Sequence, residues 1–156
     1  MIEISPLAES DRAEWEALSR DYKAHFGVAS TDEEYEQAFR RFIDTDELYG
    51  ITARVNGTMV GLAHYWFHVS VWETGYCRCY LQDLFVDPGA RRQGVARALI
   101  EWLAADAEAR GATRLHWDTT VDNTARALYD QVGRHRGFIA YARRLGAADQ
   151  NLAGSV

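Results

Sequence analysis

Cysteine, proline and long apolar runs are all scarce in this chain of 156 residues, which has two cysteines and two prolines. No apolar run approaches the roughly 18 residues that a membrane-spanning helix needs, so we expect no membrane association. The amino-terminal residues 1–4 lack the basic start and apolar stretch of a secretory signal, which makes a cytoplasmic location the expectation. With 47% hydrophobic residues, the chain can bury the core of one domain.

The two cysteines, Cys77 and Cys79, are two positions apart in a segment predicted to be a strand. Such residues share one face of the strand and cannot easily form a disulfide with each other. No second Cys or His pair lies nearby at the spacing of a zinc site. We therefore predict no metal site and interpret both cysteines as small buried or half-buried residues.

Positive charge is scarce in the first third of the chain. Residues 1–50 contain 13 Asp/Glu against 5 Lys/Arg (net −8), whereas residues 90–144 contain 10 Arg against 6 Asp/Glu (net +4). An acidic first part favours cationic ligands and a basic second part favours anionic ones, although solvated helix faces alone would explain the same pattern. The overall charge of −6, without a Lys/Arg-rich run, argues against nucleic-acid binding.

Helix and strand patterns alternate along residues 1–146, which we interpret as a single domain followed by a short tail, 147–156. Thr31 followed by Glu34 predicts a capping box at the start of one helix. The turn Asn56-Gly57 predicts a hairpin. Together the patterns predict a mixed sheet covered by helices, an α/β or α+β fold. Strands are predicted at 2–7, 48–55, 58–69, 76–86, 115–118 and 138–145, and helices from about 10, from about 31, at 92–110 and at 124–132.

The segment YLQDLFVDPGARRQGVAR, residues 80–97, places a glycine-containing turn between a predicted strand and the longest predicted helix. The first N–H groups of a helix have no internal partner and lie at the positive end of its dipole, so they favour an anion. Gly94 and Ala96 are small enough to let a pyrophosphate approach the backbone. The alternative is an ordinary turn with solvated arginines. Positive charge around the turn comes from Arg91, Arg92 and Arg97.

The run RRQGVA, residues 91–96, resembles the Arg/Gln-x-x-Gly-x-Gly/Ala signature of the GNAT superfamily of N-acetyltransferases. The run DNTARALY, residues 122–129, resembles the Asn-containing loop of that family and its helix ending in Leu-Tyr. The resemblance covers about residues 60–145. Within the superfamily, this part of the chain is similar to the diamine (spermidine/spermine) and thialysine acetyltransferase branch, whereas the first 50 residues match only in general layout. It implies a twisted, mostly antiparallel sheet of six to seven strands, about four helices, a V-shaped split at the cofactor site, and a homodimer.

The resemblance also implies that acetyl-CoA binds in that split, between the strand ending at Val86 and the strand 115–118. Backbone groups of Leu84 and Val86 would pair with the pantetheine arm, and the region of Leu84 and Phe85 would donate an N–H to the thioester carbonyl. Asn123 would contact the pantetheine arm. The other implied cofactor residues, around the pyrophosphate, are Arg91, Arg92, Gln93, Gly94, Val95, Ala96 and Arg97.

In such an enzyme the amine attacks the thioester directly, and two proton transfers must be provided. Tyr129 matches the family's usual donor to the CoA thiolate, with an ordinary core aromatic as the alternative. The diamine branch usually has Glu-Asp where this chain has Gln82-Asp83, and Gln82 cannot usefully accept a proton. Asp83 is predicted to take the proton directly or through water, or to hold the substrate ammonium; the alternative is a structural ion pair with an arginine. The departure at Gln82 weakens the case for a polyamine.

Aromatic side chains surround the predicted entrance for the acceptor. His64, Trp66 and His68 alternate on one face of a strand and Trp72 follows, so together with Gln82 they are the candidates for substrate binding. An aromatic wall can hold an alkylammonium by cation–π contact, whereas ordinary strand packing is the alternative.

The predicted activity is acetyl transfer from acetyl-CoA to a primary amine of a small molecule, either a di- or polyamine or a lysine-like amino acid. The alternatives are a protein-lysine or N-terminal acetyltransferase, a catalytically silent acyl-CoA-binding module, and a nucleotide-phosphate binder of another fold.

Overall fold

Five strands and four α-helices form the part of the chain that a computed structural model describes, residues 1–72, 74, 78–143 and 145. Short 3-10 turns precede the first and third helices. The strands are β1 (Ile2–Pro6), β2 (Tyr49–Val55), β3 (Thr58–His68), β4 (Arg78–Val86) and β5 (Leu115–His116), and the helices are α1 (Arg12–His25), α2 (Asp32–Asp44), α3 (Val95–Ala109) and α4 (Arg126–Val132).

The strands form one sheet in the order β1-β2-β3-β4-β5, with three antiparallel pairings and a parallel pairing of β4 with β5. The predicted mixed and mostly antiparallel sheet is confirmed. Asn56 and Gly57, which connect β2 to β3, have φ of 51° and 81°. These positive values match the turn that a two-residue hairpin favours, and they explain why Asn-Gly stands there.

The prediction of six to seven strands is wrong for the described residues, which form five. The segment 138–143, expected to be a strand, has no strand pairing, and Phe138, Ile139 and Tyr141 are exposed. The free side of β5 is the edge where a further strand would pair, and β5 has only two residues. So short an edge provides few ladder hydrogen bonds for another strand. The predicted tail, 147–156, lies outside the described residues, as does Cys77, whereas Cys79 is buried and free.

The two faces of the sheet are covered by different helices. On one face, Val95, Leu99 and Leu103 of α3 pack against β2 and β3. On the other face, Trp15 of α1 and Phe39 of α2 form a second cluster with strand residues of β3 and β4. The predicted capping box holds α2 in place, since Thr31 and Glu34 accept hydrogen bonds from each other's backbone N–H groups.

Helix α3 begins three residues later than predicted, at Val95 rather than Arg92. Arg92 has φ of 63° and Gly94 has φ of 87°, both in the left-handed region, which an α-helix of L-residues does not tolerate. The segment before α3 is therefore a loop with an unusual backbone. No helix in the described ranges is long and apolar enough to cross a membrane.

A β-bulge interrupts β4 at Gln82. Opposite β4, His64 pairs with Asp83 while the next residue, Tyr65, pairs with Leu81, so Gln82 is an extra residue without a partner in register. A bulge shifts the alternation of side chains by one residue. Asp83 is thereby placed on the face of the sheet that α1 covers, where Phe85 also lies.

Candidate active site

Strands β4 and β5 separate soon after they meet. They are paired only at Cys79 with Leu115 and at Tyr80 with His116, after which the described ladder ends. Two parallel strands that pair only at their start open a wedge toward their carboxyl ends. This wedge is the predicted split, and residues 82–86 of β4 form one of its edges.

The amino terminus of α3 lies directly after β4 and presents unused N–H groups. Gly94 is the N-cap and makes no side-chain cap, and the first bond of the helix runs from Ala98 N to Gly94 O at 2.9 Å. Among the described residues, nothing accepts from the N–H groups of Val95, Ala96 or Arg97. Free amides at the positive end of a helix dipole form a site for an anion.

The loop before α3 is fixed by its own side chains. Asp87 accepts from Gly89 N at 2.7 Å, Gln93 donates to Gly89 O at 3.2 Å, and Arg91 donates through Nε to Val86 O at 3.1 Å. The side chains of Arg91 and Gln93 thus stabilise the loop. Of the predicted arginines, Arg97 donates to Gln131 of α4, whereas Arg92 is exposed on the loop.

Asp83 is the acidic group at the bulge, and each of its carboxylate oxygens has a partner. Tyr22 of α1 donates its O–H to Oδ1 at 2.9 Å, and Nδ1 of His64 lies 2.9 Å from Oδ2. Burial raises the pKa of Asp83, but the hydrogen bonds from His64 and Tyr22 outweigh burial, and the net pKa is lowered. Asp83 therefore carries its charge at neutral pH. Its partners are His64 and Tyr22, not the arginine of the alternative interpretation.

Tyr129 lies on α4, half-buried against Trp117, with 5.5 Å between the ring centroids. Burial raises the pKa of its phenol, which stays protonated at neutral pH.

Residues 15–133 match the Acetyltransferase (GNAT) family. The chain belongs to the GNAT family of acetyltransferases. It is 30% identical over 146 residues to the D-amino-acid N-acetyltransferase of Saccharomyces cerevisiae, covering 91% of this chain and 90% of that protein. It is also 32% identical over 97 residues to the thialysine N-epsilon-acetyltransferase of Caenorhabditis elegans, covering 62% of this chain and 59% of that protein.

Solved structures of acetyltransferases share this GNAT fold. An aminoglycoside N-acetyltransferase in complex with CoA superposes with a TM-score of 0.78 at 18% identity, over 92% of this chain and 95% of that one. A ribosomal-protein-alanine N-acetyltransferase from Brucella melitensis superposes with a TM-score of 0.79 at 22% identity, over 93% of this chain and 99% of that one. The alternative prediction of a nucleotide-phosphate binder with another fold is therefore wrong.

GNAT acetyltransferases use acetyl-CoA, and this chain offers the features that such a cofactor needs. The free amides of Val95, Ala96 and Arg97 suit a pyrophosphate, and Gly94 has only the Cδ1 atom of Ile2, at 4.0 Å, near the position of a Cβ. On the side of β4 that faces away from β3, Leu84 and Val86 have no strand beside them in the described part of the chain. The residues present therefore fit the cofactor.

Both polar atoms of the Asn123 side chain make local hydrogen bonds in this GNAT enzyme. Its amide nitrogen donates to Oγ1 of Thr119 at 2.8 Å, and its Oδ1 accepts from Ala125 N at 2.8 Å, just before α4 begins. Asn123 therefore shapes the loop that leads to Tyr129. A contact with the pantetheine arm would replace or extend these bonds.

The fold does not bring all of the predicted substrate-binding residues together. His64, Trp66 and His68 share a face of β3, as predicted, but His64 is buried and Trp66 packs on Tyr80 with 4.7 Å between the ring centroids. His68 faces His116 of β5, with Nε2 atoms 2.9 Å apart. Trp72 follows β3 and is 90% exposed. Gln82 is exposed at the bulge.

Two residues that contact this group of side chains, Tyr22 and Trp15, were not among the predicted site residues. Tyr22 binds Asp83, and Trp15 donates through Nε1 to Nε2 of His64 at 2.9 Å. Nothing in the spacing of α1 distinguishes a Trp or Tyr that packs from one that also donates a hydrogen bond. A buried Trp or Tyr generally requires a polar partner, and this is the one signal that the sequence contained.

Proposed function

We propose that this GNAT enzyme acetylates the primary amine of a small molecule, either a lysine-like amino acid or a di- or polyamine. The single observation that carries the proposal is Asp83, a charged and mostly buried carboxylate that accepts from Tyr22, contacts His64, and forms no ion pair with a lysine or arginine among the described residues. A buried carboxylate of this kind favours a cation, and a small amine reaches neutral water as an ammonium.

When bound, acetyl-CoA supplies an acetyl group activated as a thioester. The N–H groups of Val95, Ala96 and Arg97 hold its pyrophosphate, and backbone groups of Leu84 and Val86 hold its pantetheine arm. The N–H in the region of Leu84 and Phe85 is the candidate donor to the thioester carbonyl, where negative charge develops. All these groups lie on one continuous stretch of chain, β4 with the loop and first turn of α3.

Asp83 holds the substrate ammonium, and water removes its proton. The lowered pKa of Asp83 makes it a weak base but a good anion, since burial, which raises this pKa, is outweighed by hydrogen bonds from His64 and Tyr22. A primary amine has an ordinary pKa of about 10.4, so binding as the ammonium is the expected first step. Tyr129, protonated at neutral pH, provides the proton for the departing thiolate.

The substrate class is supported by two relatives and by the bulge. The D-amino-acid and thialysine acetyltransferases named above act on amino acids or a close analogue. Gln82, uncharged and exposed, leaves Asp83 as the one carboxylate at the bulge in the described structure. A single carboxylate suits an acceptor with one ammonium at this point, so we favour a lysine-like amino acid over a polyamine.

The test is a panel of acceptors offered with acetyl-CoA, with release of CoA thiol as the readout. The panel contains lysine, thialysine, D-amino acids, diamines, polyamines and aminoglycosides, together with peptides that present an amino-terminal alanine or an internal lysine. Turnover with small amines and not with peptides supports the proposal. Turnover with peptides alone assigns a protein acetyltransferase, and tight binding of CoA without thiol release on any acceptor assigns a silent acyl-CoA-binding module.

The homodimer implied by the family branch is a separate proposal. Size-exclusion chromatography with light scattering tests it directly, since a dimer has twice the 17.7 kDa mass of the chain.

A further inference from the structure

A hydrogen bond joins Trp15 of α1 to His64 of β3. The indole Nε1 lies 2.9 Å from Nε2 of His64, and both side chains are buried. An indole nitrogen can donate a hydrogen bond but cannot accept one. Nε2 of His64 must therefore be the acceptor, and in this arrangement it carries no proton.

The proton of the neutral imidazole consequently sits on Nδ1, the atom that faces Oδ2 of Asp83 at 2.9 Å. The other carboxylate oxygen accepts from the phenol of Tyr22. Both donors to Asp83 are thus neutral groups. The four side chains together hold one full negative charge and contain no cation to balance it.

The other elements packed against His64 present no charge to it in the described structure. The ring of Phe42, from α2, stacks on the imidazole with 4.5 Å between centroids, and Gly50 of β2 is its strand partner. Lys23 of α1 has a small effect on Asp83: burial raises the pKa of Asp83, the bond from His64 lowers it, and the charge of Lys23 adds a smaller lowering. The ammonium of Lys23 itself is bonded to Ser30.

We propose that Trp15 is a positioning residue for the acceptor: by occupying Nε2 it keeps His64 neutral, so that the charge of Asp83 remains available to the substrate ammonium. The inference rests on the proposed function, in which Asp83 binds that ammonium. A second proton on His64 would have two consequences. It would make an imidazolium that neutralises Asp83 and competes with the substrate, and it would set two N–H groups against each other between Trp15 and His64.

The tautomer of His64 can be measured without any substrate. Long-range proton–nitrogen NMR spectra of the ¹⁵N-labelled full chain distinguish protonated from unprotonated ring nitrogens, and His64→Asn assigns the signals. We expect Nε2 to be unprotonated and Nδ1 protonated, because the indole N–H of Trp15 occupies Nε2. A proton on Nε2 in the folded protein would overturn the proposal.

The kinetic test uses Trp15→Phe, which keeps an aromatic ring but removes the N–H. With an amine found in the acceptor panel, we expect the ratio of KM at about pH 6 to KM at about pH 8 to rise about tenfold above the wild-type ratio, with kcat little changed, because Nε2 of His64 then has no N–H to occupy it. The double variant Trp15→Phe/His64→Asn should return to the wild-type ratio, since the amide of Asn donates to Asp83 but does not titrate. Trp102→Phe, in α3 on the opposite face of the sheet, is the matched control and should leave the ratio unchanged.

A wild-type KM ratio in Trp15→Phe, or a raised ratio that persists in the double variant, would contradict the role of Trp15. Circular dichroism establishes whether Trp15→Phe is folded, and if it is not, the NMR spectra of the unaltered chain decide the question. The proposed function fails by a different result, namely an Asp83→Asn variant with unchanged KM for the amine. The two failures are therefore distinguishable.

Discussion

Gly61 of β3 and Val95 of α3 approach so closely that a Cβ on Gly61 would lie 3.0 Å from Cγ1 of Val95. The same Cβ would lie 3.2 Å from the backbone oxygen of Phe85. Val95 is the first residue of the helix whose free amides are the candidate pyrophosphate site. The missing side chain of Gly61 therefore allows the start of α3 to sit against the sheet, next to the end of β4.

Gly61→Ala should displace the start of α3 and weaken CoA binding together with stability. Overpacking of this kind costs about 1–3 kcal/mol, and the backbone oxygen of Phe85 cannot move aside as a side chain could. Calorimetric titration with CoA and a thermal melt measure the two effects. Thr58→Ala, at an exposed position on the same strand, should change neither; equal CoA affinity in Gly61→Ala and wild type would show that the helix start is not positioned by this contact.

Gly94→Ala should lower CoA affinity about tenfold or more, the equivalent of about 1.4 kcal/mol, because alanine resists the left-handed φ of 87° that shapes the amide site. Gly111 is a matched control at the other end of α3, with φ of 83° and no atom within 4 Å of a Cβ. Gly111→Ala should lose similar stability in urea but keep its affinity for CoA. If both variants bind CoA equally, the pyrophosphate is held elsewhere.

Tyr129→Phe should lower kcat by about 10²-fold or more, the ordinary loss when a proton donor is removed, while CoA binding and stability change little. Phenylalanine preserves the packing on Trp117 and removes only the hydroxyl. Steady-state thiol release and CoA titration separate the two effects. Tyr49→Phe, on β2 away from the split, is the control, and unchanged kcat in Tyr129→Phe would exclude this phenol as the donor.

Asp83→Asn should raise KM for the amine about 10- to 100-fold, because a hydrogen bond to a charged partner is worth about 1.5–3 kcal/mol, and kcat/KM should fall by at least as much. CoA affinity should be retained. Asp21→Asn, at an exposed position on α1, gives the effect of removing an acidic charge elsewhere. A collapse of kcat with KM unchanged would instead identify Asp83 as the base that removes the proton.

His116 should make the protein less stable as the pH falls. Burial lowers its pKa, and the charge of His68 lowers it further. Because the folded-state pKa lies below the ordinary value of 6.5, the stability contribution is complete above about pH 6.5 and is lost as the pH falls through the lowered pKa.

Melting temperatures at about pH 7.5 and pH 5 test this expectation, since histidines ordinarily change charge between them. His116→Gln should lose less stability than wild type over that interval, and His135→Gln, at an exposed position, should lose as much as wild type. An identical loss in His116→Gln and wild type would mean that other groups cause the acid sensitivity.

Short-range features of the chain could be predicted from the sequence by itself. The hairpin at Asn56 and Gly57, the capping box of Thr31 and Glu34, and the turn before α3 all depend on residues within a few positions of one another. A glycine that must adopt a positive φ and a helix whose first amides have no partner are local properties. For this reason the sequence alone was enough to indicate the candidate pyrophosphate site and the family.

Side-chain partners and strand counts were decided only by the tertiary structure. Trp15 and His64 are 49 positions apart, and Tyr22 and Asp83 are 61 apart, so no pattern along the chain could pair them. The bulge at Gln82 places Asp83 on the face covered by α1, and the position of such a bulge depends on the pairing of β4 with β3 across the sheet. The predicted strand at 138–145 had the right residues, but a strand forms only beside an edge that offers hydrogen bonds, and β5 offers two residues. Local sequence thus determined the elements and the anion site, whereas long-range packing determined which side chains surround the candidate acceptor carboxylate.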